Sequence, residues 1–252
     1  MDRSAFHRLF KCPGPVVTPV IHVQDLAQTL TNIGHAVRLG APGIWLINHD
    51  FPVEPFLPIL RAARAACPDV WLGVNFLAQP GDVAFPILGR LAGEGCALDG
   101  YWADDACMDE RQPTQTRAES IAAIRAASGW QGMYFGGVCF KKQRPVDPAF
   151  NEHSARIARP FMDVVTTSGI ATGEATDLTK ITDFRRGLGQ APMAIASGVT
   201  PDNAMDYAAE VDCFLVATGI NRKGDFYNID PARLQALLDL TRAYGAPKCP
   251  PI

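Results

Sequence analysis

The sequence lacks the features that would place it in several large functional classes. No apolar run approaches the about 18 residues that a membrane span needs, so no membrane insertion is expected. The opening MDRSAFHRLFKCPGP is charged and has no uninterrupted apolar stretch of the kind a secretion signal carries. There is no Lys/Arg run and no basic stripe interleaved with aromatics, and the net charge is −3, which argues against a nucleic-acid partner. The seven cysteines (Cys12, Cys67, Cys96, Cys107, Cys139, Cys213, Cys249) are odd in number, scattered and never paired as CxxC. That pattern points to neither a disulfide framework nor a structural zinc site, and it suits a reducing cytoplasm. Charged residues are scarce at 19% against 48% hydrophobic residues, a balance that supplies a large core and excludes wholesale disorder.

What is present is an alternation. Short β-branched or apolar runs are followed by longer segments of helical periodicity, and this repeats to the end of the chain. Strands are expected at Val16–His22, Gly43–Asn48, Val70–Asn75, Gly100–Ala103, Met133–Phe140, Val164–Ser168, Met193–Ala196 and Cys213–Ala217. The helices after them are expected at Leu26–Leu39, Val53–Ala66, Ala84–Glu94, Arg117–Ser128, Glu152–Arg159, Thr179–Gly187, Asp202–Ala208 and Pro231–Tyr244. Eight such units without a linker or a break in composition predict an α/β protein, a single (β/α)8 TIM barrel over 1–252. Met1–Pro15 reads as an N-terminal extension and Ala246–Ile252 as a C-terminal tail. Capping chemistry agrees: Thr200-Pro201-Asp202 and Asp230-Pro231 precede helices, while Gly40 and Gly245 follow them.

In such a barrel the active site lies where the strands end at their C-termini. The loops Ser197-Gly198-Val199 and Thr218-Gly219 follow strands 7 and 8, the usual place for a phosphate site, and their small residues let backbone N–H groups approach an anion. A third loop, from Ser168 to Gly173, adds Gly169, Thr172 and Gly173. Among the polar rim residues, Lys141 comes first, as an anion clamp or a Schiff-base nucleophile, with Lys142 beside it. Asp104, Asp105 and Asp50 are candidate acids or bases positioned to face one another across the mouth. His22 and His49 lie on the same rim, and a histidine titrating near neutrality suits a proton shuttle. Asn48 and Asn75 end strands 2 and 3 and are candidate substrate-binding amides. Trp102, Phe76 and Tyr134 offer rings for stacking. His7, His35, His153 and Asp99 fall off the rim and read as structural. No HxH or HxxE spacing supports a metal, and no cofactor is expected.

The C-terminal third carries a specific resemblance. Val164-Val-Thr-Thr-Ser-Gly-Ile-Ala-Thr-Gly173, Ala196-Ser-Gly-Val-Thr-Pro-Asp-Asn203 and Asp212-Cys-Phe-Leu-Val-Ala-Thr-Gly-Ile220 with Lys223-Gly224 resemble the BtpA/SgcQ family of barrel proteins. His22, Asn48, Asn75 and Lys141 fall on polar positions that the family pattern places at strand ends. The sequence departs from that pattern at Val23–Gln28, at Ile47 and at Trp102-Ala103-Asp104, which marks a divergent member. The resemblance implies two readings. One is an enzyme binding a small phosphorylated ligand, a sugar phosphate or a phosphoribosyl or nucleotide-like compound, in an isomerase, lyase or glycosidic-cleavage reaction. The other is a non-catalytic assembly or biogenesis factor of the BtpA type. The acid–base pair of phosphoribosylanthranilate isomerases, a cysteine and an aspartate, is replaced by His22 and Ser168, so that reaction is not supported. The sequence leaves room for a homo-oligomer.

Overall fold

The computed structural model describes residues 1–245; 246–252, expected as a tail, lie outside the described residues. Eight parallel strands close into a barrel in chain order. They are β1 (Val16–His22), β2 (Ile44–Ile47), β3 (Leu72–Asn75), β4 (Gly100–Ala103), β5 (Met133–Gly137), β6 (Val164–Thr167), β7 (Met193–Ala196) and β8 (Cys213–Val216). The helices are α1 (Arg3–Phe10), α2 (Leu26–Arg38), α3 (Val53–Ala66), α4 (Gly81–Gly93), α5 (Thr116–Ser128), α6 (Asn151–Ala158), α7 (Leu178–Leu188), α8 (Ala204–Tyr207) and α9 (Pro231–Gly245). None of them is long and apolar enough to cross a membrane.

Two expectations need correction. Strand β5 stops at Gly137 rather than Phe140, because the chain bends away through Cys139, whose φ is 48°. Helix α8 is a single turn, and the Thr200-Pro201-Asp202 segment is a turn instead of its cap: Asn203 Oδ1 accepts the Thr200 N–H at 2.8 Å. The N-terminal extension carries the helix α1. Asp2 caps α1 through the Ala5 N–H, and α1 presents Phe6 and Phe10, one helical turn apart, to the lower end of the barrel.

Alternation along the strands divides the apolar residues into two cores. Outward residues such as Ile21, Leu46, Tyr101 and Phe214 pack under the helices. Inward residues such as Val20, Trp45, Trp102, Phe135, Ala194 and Leu215 fill the barrel, with Phe6 and Phe10 closing its base. The tryptophans occupy space that neighbouring strands vacate: a Cβ on Gly73 would collide with the Trp45 ring, and one on Gly100 with the Trp71 ring.

The base of the barrel is stitched by a repeated device. Asp99, Asp163 and Asp212 precede β4, β6 and β8, and each accepts a backbone N–H at the start of the strand before its own, from Leu72, Tyr134 and Met193 respectively. Each also receives an arginine from the helix that leads into that earlier strand: Arg64 of α3 at 2.5 Å, Arg125 of α5 at 2.6 Å and Arg185 of α7 at 2.8 Å. Asp99 is thus structural, as its position predicts. Asp212, fully buried, additionally takes Arg3 at 2.7 Å and His7 at 3.0 Å from α1.

Candidate ligand-binding and active site

Strand parity builds the pocket at the opposite end. Val20 and His22 of β1, Ile47 and His49 at the end of β2, and Trp102 and Asp104 at the end of β4 alternate inward and line one cavity. Its other wall is made by Ser197-Gly198-Val199 after β7 and Thr218-Gly219 after β8, with Thr172 and Gly173 from the loop after β6. The cavity is narrow and partly open to solvent. The sequence-derived phosphate residues therefore converge, Gly169 excepted. Gly169 lies instead in the neighbouring groove between the loops after β5 and β6.

Glycine is needed at two places in this wall. A Cβ on Gly219 would strike the Val199 carbonyl oxygen, and a Cβ on Gly198 (φ +68°) would strike that of Glu174. The three loops after β6, β7 and β8 are stacked backbone against backbone, which only residues without a side chain permit. Ser197 has a φ of 100°, a sparsely populated conformation for a non-glycine residue. Its strained turn aims the loop so that the backbone N–H groups of Gly198, Val199, Thr218 and Gly219 meet no acceptor among the described residues. Buried or half-buried N–H groups are normally paired, so four donors without a protein acceptor on one cavity wall are unusual.

Lys141 supplies charge to that wall. The Ser168 hydroxyl accepts its backbone N–H at 2.9 Å, and its Nζ donates to Ser197 Oγ at 2.5 Å. Burial pushes the Lys141 ammonium below its ordinary pKa, Asp104 opposes that shift, and Lys142 adds to it. Burial conversely lifts the Asp104 carboxyl, restrained by the Asn75 amide, which donates to Oδ1 at 3.0 Å, and by the two lysines. The amine and the carboxyl are thus driven towards each other in proton affinity, the arrangement that acid–base chemistry requires.

His22 behaves differently from the expected neutral-range shuttle. Its Nδ1–H donates to the Phe226 carbonyl at 2.8 Å, and its ring stacks on Phe226 with centroids 3.8 Å apart. Burial, helped by His49 and Lys141 and opposed by the Phe226 hydrogen bond, lowers its pKa to about 4. The ring is neutral at physiological pH, with the proton on Nδ1 and the Nε2 lone pair free to accept. Between pH 6.5 and 4 the unfolded chain binds a proton that the folded one refuses. Stability therefore falls by about 1.4 kcal/mol per pH unit as the pH drops through that window. Nitrogen-detected NMR of ring-labelled protein at pH 6 checks the assignment: a cationic His22 signal there would contradict it.

Other candidates lie elsewhere. Asn48 has outward parity and clamps its own loop, donating to the Phe51 carbonyl at 2.7 Å and accepting the Leu77 N–H at 3.1 Å. Asp50 does not face Asp104; it is exposed and accepts the Tyr227 hydroxyl at 2.9 Å. Asn75 is fully buried beneath Asp104. Phe76 and Tyr134 belong to the core under the helices, leaving Trp102 as the aromatic ring on the cavity floor. Lys223 is exposed. Among the described residues no three His, Cys, Asp or Glu converge as metal ligands.

The BtpA family model matches residues 136–243. Over that stretch, less than half of the chain, the sequence is similar to the BtpA family. The matched stretch contains Lys141 and all three stacked loops. It also contains Asn203, which sequence reasoning quoted but did not place in the site. Asn203 Nδ2 donates to the Gly198 carbonyl at 2.8 Å while its Oδ1 holds the Thr200 N–H, so one amide fixes the loop after β7 from both ends. Its recurrence in the BtpA-like pattern three residues after the Ser-Gly-Val-Thr turn was the available signal. No curated protein matches the sequence. Similar solved structures include phosphoribosyl anthranilate isomerase from Thermus thermophilus, at 16% identity over 90% of this chain and 98% of that one, with a TM-score of 0.61. Tryptophan synthase subunit alpha from Legionella pneumophila str. Paris is similar at 14% identity over 96% and 99%, with a TM-score of 0.64. The monomers of the dimeric isomerase from Thermotoga maritima give 14% over 91% and 99%, with a TM-score of 0.60. At these identities the likeness is one of fold.

Proposed function

We propose that this chain binds the phosphate of a small phosphorylated metabolite against the loops after β7 and β8, and acts on it as an isomerase, lyase or glycosidic-bond-cleaving enzyme. The observation that carries the reading is the set of four unpaired N–H groups on one cavity wall, with the Lys141 ammonium at its lip. With the phosphate fixed there, the rest of the ligand extends towards Asp104 and His22. The Asp104 carboxyl, its proton affinity raised by burial, and the Nε2 lone pair of His22 are the two groups placed to exchange protons with the ligand. Two such groups in one cavity suit the movement of a proton between neighbouring atoms of a substrate, the step shared by these reaction classes.

Calorimetry and thermal shift with inorganic phosphate, ribose 5-phosphate, nucleoside monophosphates and their unphosphorylated counterparts test the reading. Only phosphorylated compounds are expected to stabilise the protein. Lys141→Met is expected to weaken them about 10- to 100-fold, the worth of one charge-assisted hydrogen bond. No response of the folded wild-type protein to any phosphate would overturn it and leave the non-catalytic assembly factor.

A further inference from the structure

Lys180 is a cation in a place that disfavours one. It is the third residue of α7, in the first turn, where the helix dipole and the open backbone N–H groups repel positive charge. Burial pushes its ammonium below the ordinary pKa, opposed by Cys139 and Asp177. The Phe184 ring, 5.8 Å from Nζ, compensates weakly. A neutral residue of equal helix propensity would suit α7 better, so the reason for a lysine lies outside the helix.

What the ammonium touches supplies that reason. Lys180 Nζ donates to the Cys139 carbonyl at 2.6 Å and to the Ser168 carbonyl at 2.8 Å. Both carbonyls lie just beyond the ends of β5 and β6, where the ladder has stopped, and among the described residues neither receives a backbone N–H. The Thr167 hydroxyl reaches the Cys139 carbonyl only at 3.5 Å. One charged donor thus ties together two loops that the sheet no longer holds, with hydrogen bonds roughly twice as strong as neutral ones. Both loops lead to Lys141. Cys139, turned at a φ of 48°, precedes it by two residues, and the Ser168 hydroxyl accepts its backbone N–H at 2.9 Å. From that fixed backbone the Lys141 side chain crosses the end of β6 to reach Ser197 Oγ.

We propose that Lys180 is a positioning residue for Lys141: its ammonium clamps the loops after β5 and β6 so that the Lys141 amine is held against the phosphate seat formed by the loops after β7 and β8. Lys180 acts through Lys141 alone, because it lines the neighbouring groove rather than the cavity. Without the clamp the two carbonyls turn to water, the left-handed turn at Cys139 relaxes, and Lys141 exchanges Ser197 for solvent. The inference rests on the phosphate reading for what Lys141 does at the seat; the placement of the amine does not depend on it.

The test compares the wild type with Lys180→Met, which keeps the stem and removes the donor, with Lys141→Met and with the double variant. The first measurement is inorganic phosphate affinity. Lys180→Met is expected to weaken phosphate about tenfold or more, as Lys141→Met does, and the double variant no further, because both act through one amine. The second measurement needs no ligand: trace acylation with acetic anhydride across pH, read lysine by lysine by mass spectrometry. The Lys141 midpoint is expected to lie below the ordinary lysine value in the wild type and to rise towards it in Lys180→Met, with the Lys11 and Lys223 profiles unchanged as the control for general loosening. The titratable groups that face the Lys141 amine are Asp104, Lys142, His22 and His49; all are kept, and Lys180 is not among them, so loss of its charge alone does not move the midpoint. If Lys180→Met does not fold, Lys180→Gln, too short to reach both carbonyls, carries the same measurements. An unmoved Lys141 midpoint overturns the inference, as does an additive loss of phosphate affinity in the double variant. If the wild type binds no phosphate, the phosphate reading falls and the acylation profile alone decides the clamp.

Discussion

Replacing Asp212 with alanine is expected to cost about 3–5 kcal/mol of stability, enough to unfold much of the protein at moderate temperature. The carboxylate is fully buried and serves four donors: Arg3, His7, Arg185 and the Met193 N–H. Deleting it leaves Arg185 facing a void with only the more distant Glu210 carboxylate, 3.7 Å away, as counter-charge, and it releases α1 from the base of the barrel. Burial alone would raise the Asp212 carboxyl. The His7, Met193 and Arg3 hydrogen bonds and the Arg185 charge outweigh that effect and hold it below its ordinary value. A depressed carboxyl contributes its stability above the unfolded pKa of about 3.9 and loses it as the pH falls through the folded value. Chemical denaturation of wild type and Asp212→Ala at pH 7 and pH 3 measures both effects. The gap is expected to narrow at the lower pH. A loss of under 1 kcal/mol at pH 7 would mean that the buried network contributes little.

The second large effect is expected at the pocket, where Gly219→Ala should abolish anion binding in a protein that still folds. The new methyl group meets the Val199 carbonyl, which is backbone and cannot rotate aside, so the loops after β7 and β8 must part. Parting them misdirects at least two of the four N–H donors. At about 1.5–3 kcal/mol for each bond to a charged group, the loss is about 100-fold or more. Gly93→Ala is the control. That position lies in α4 with nothing within 4 Å of an added Cβ, and it should be neutral or stabilising by up to about 1 kcal/mol. Phosphate titration of the three proteins separates the outcomes. If Gly219→Ala binds phosphate as the wild type does, the loops are not the seat.

Strand and helix positions were legible because burial on both faces leaves continuous apolar runs in a parallel barrel, while the helices keep a 3.6-residue period. The bounds of β1, β4, β7 and α3 follow directly. The helix α1 was also encoded, by Asp2 as a cap and by Phe6 and Phe10 one turn apart, but a short segment before the first strand has no repeat to announce it. In the site, backbone chemistry was easier to see than side-chain direction. Small residues at the ends of β7 and β8 identify the stacked loops whichever way their neighbours point. Asn48 and His49 differ by a single step in parity, which sends one into a loop clamp and the other into the cavity. Counting alternate residues back from Trp45 selects His49, and the same count from Gly100 selects Trp102 and Asp104. The low pKa of His22 had no local signal, because burial causes it and the Phe226 ring stacked on the imidazole lies two hundred residues away in sequence.

The seal that α1 places on the base of the barrel has a kinetic consequence. With Phe6 and Phe10 filling one end, a bound molecule has the rim as its route both in and out, past Thr172 and Gly173. Arrival and departure then share one doorway, and an occupant blocks its own replacement until it has gone.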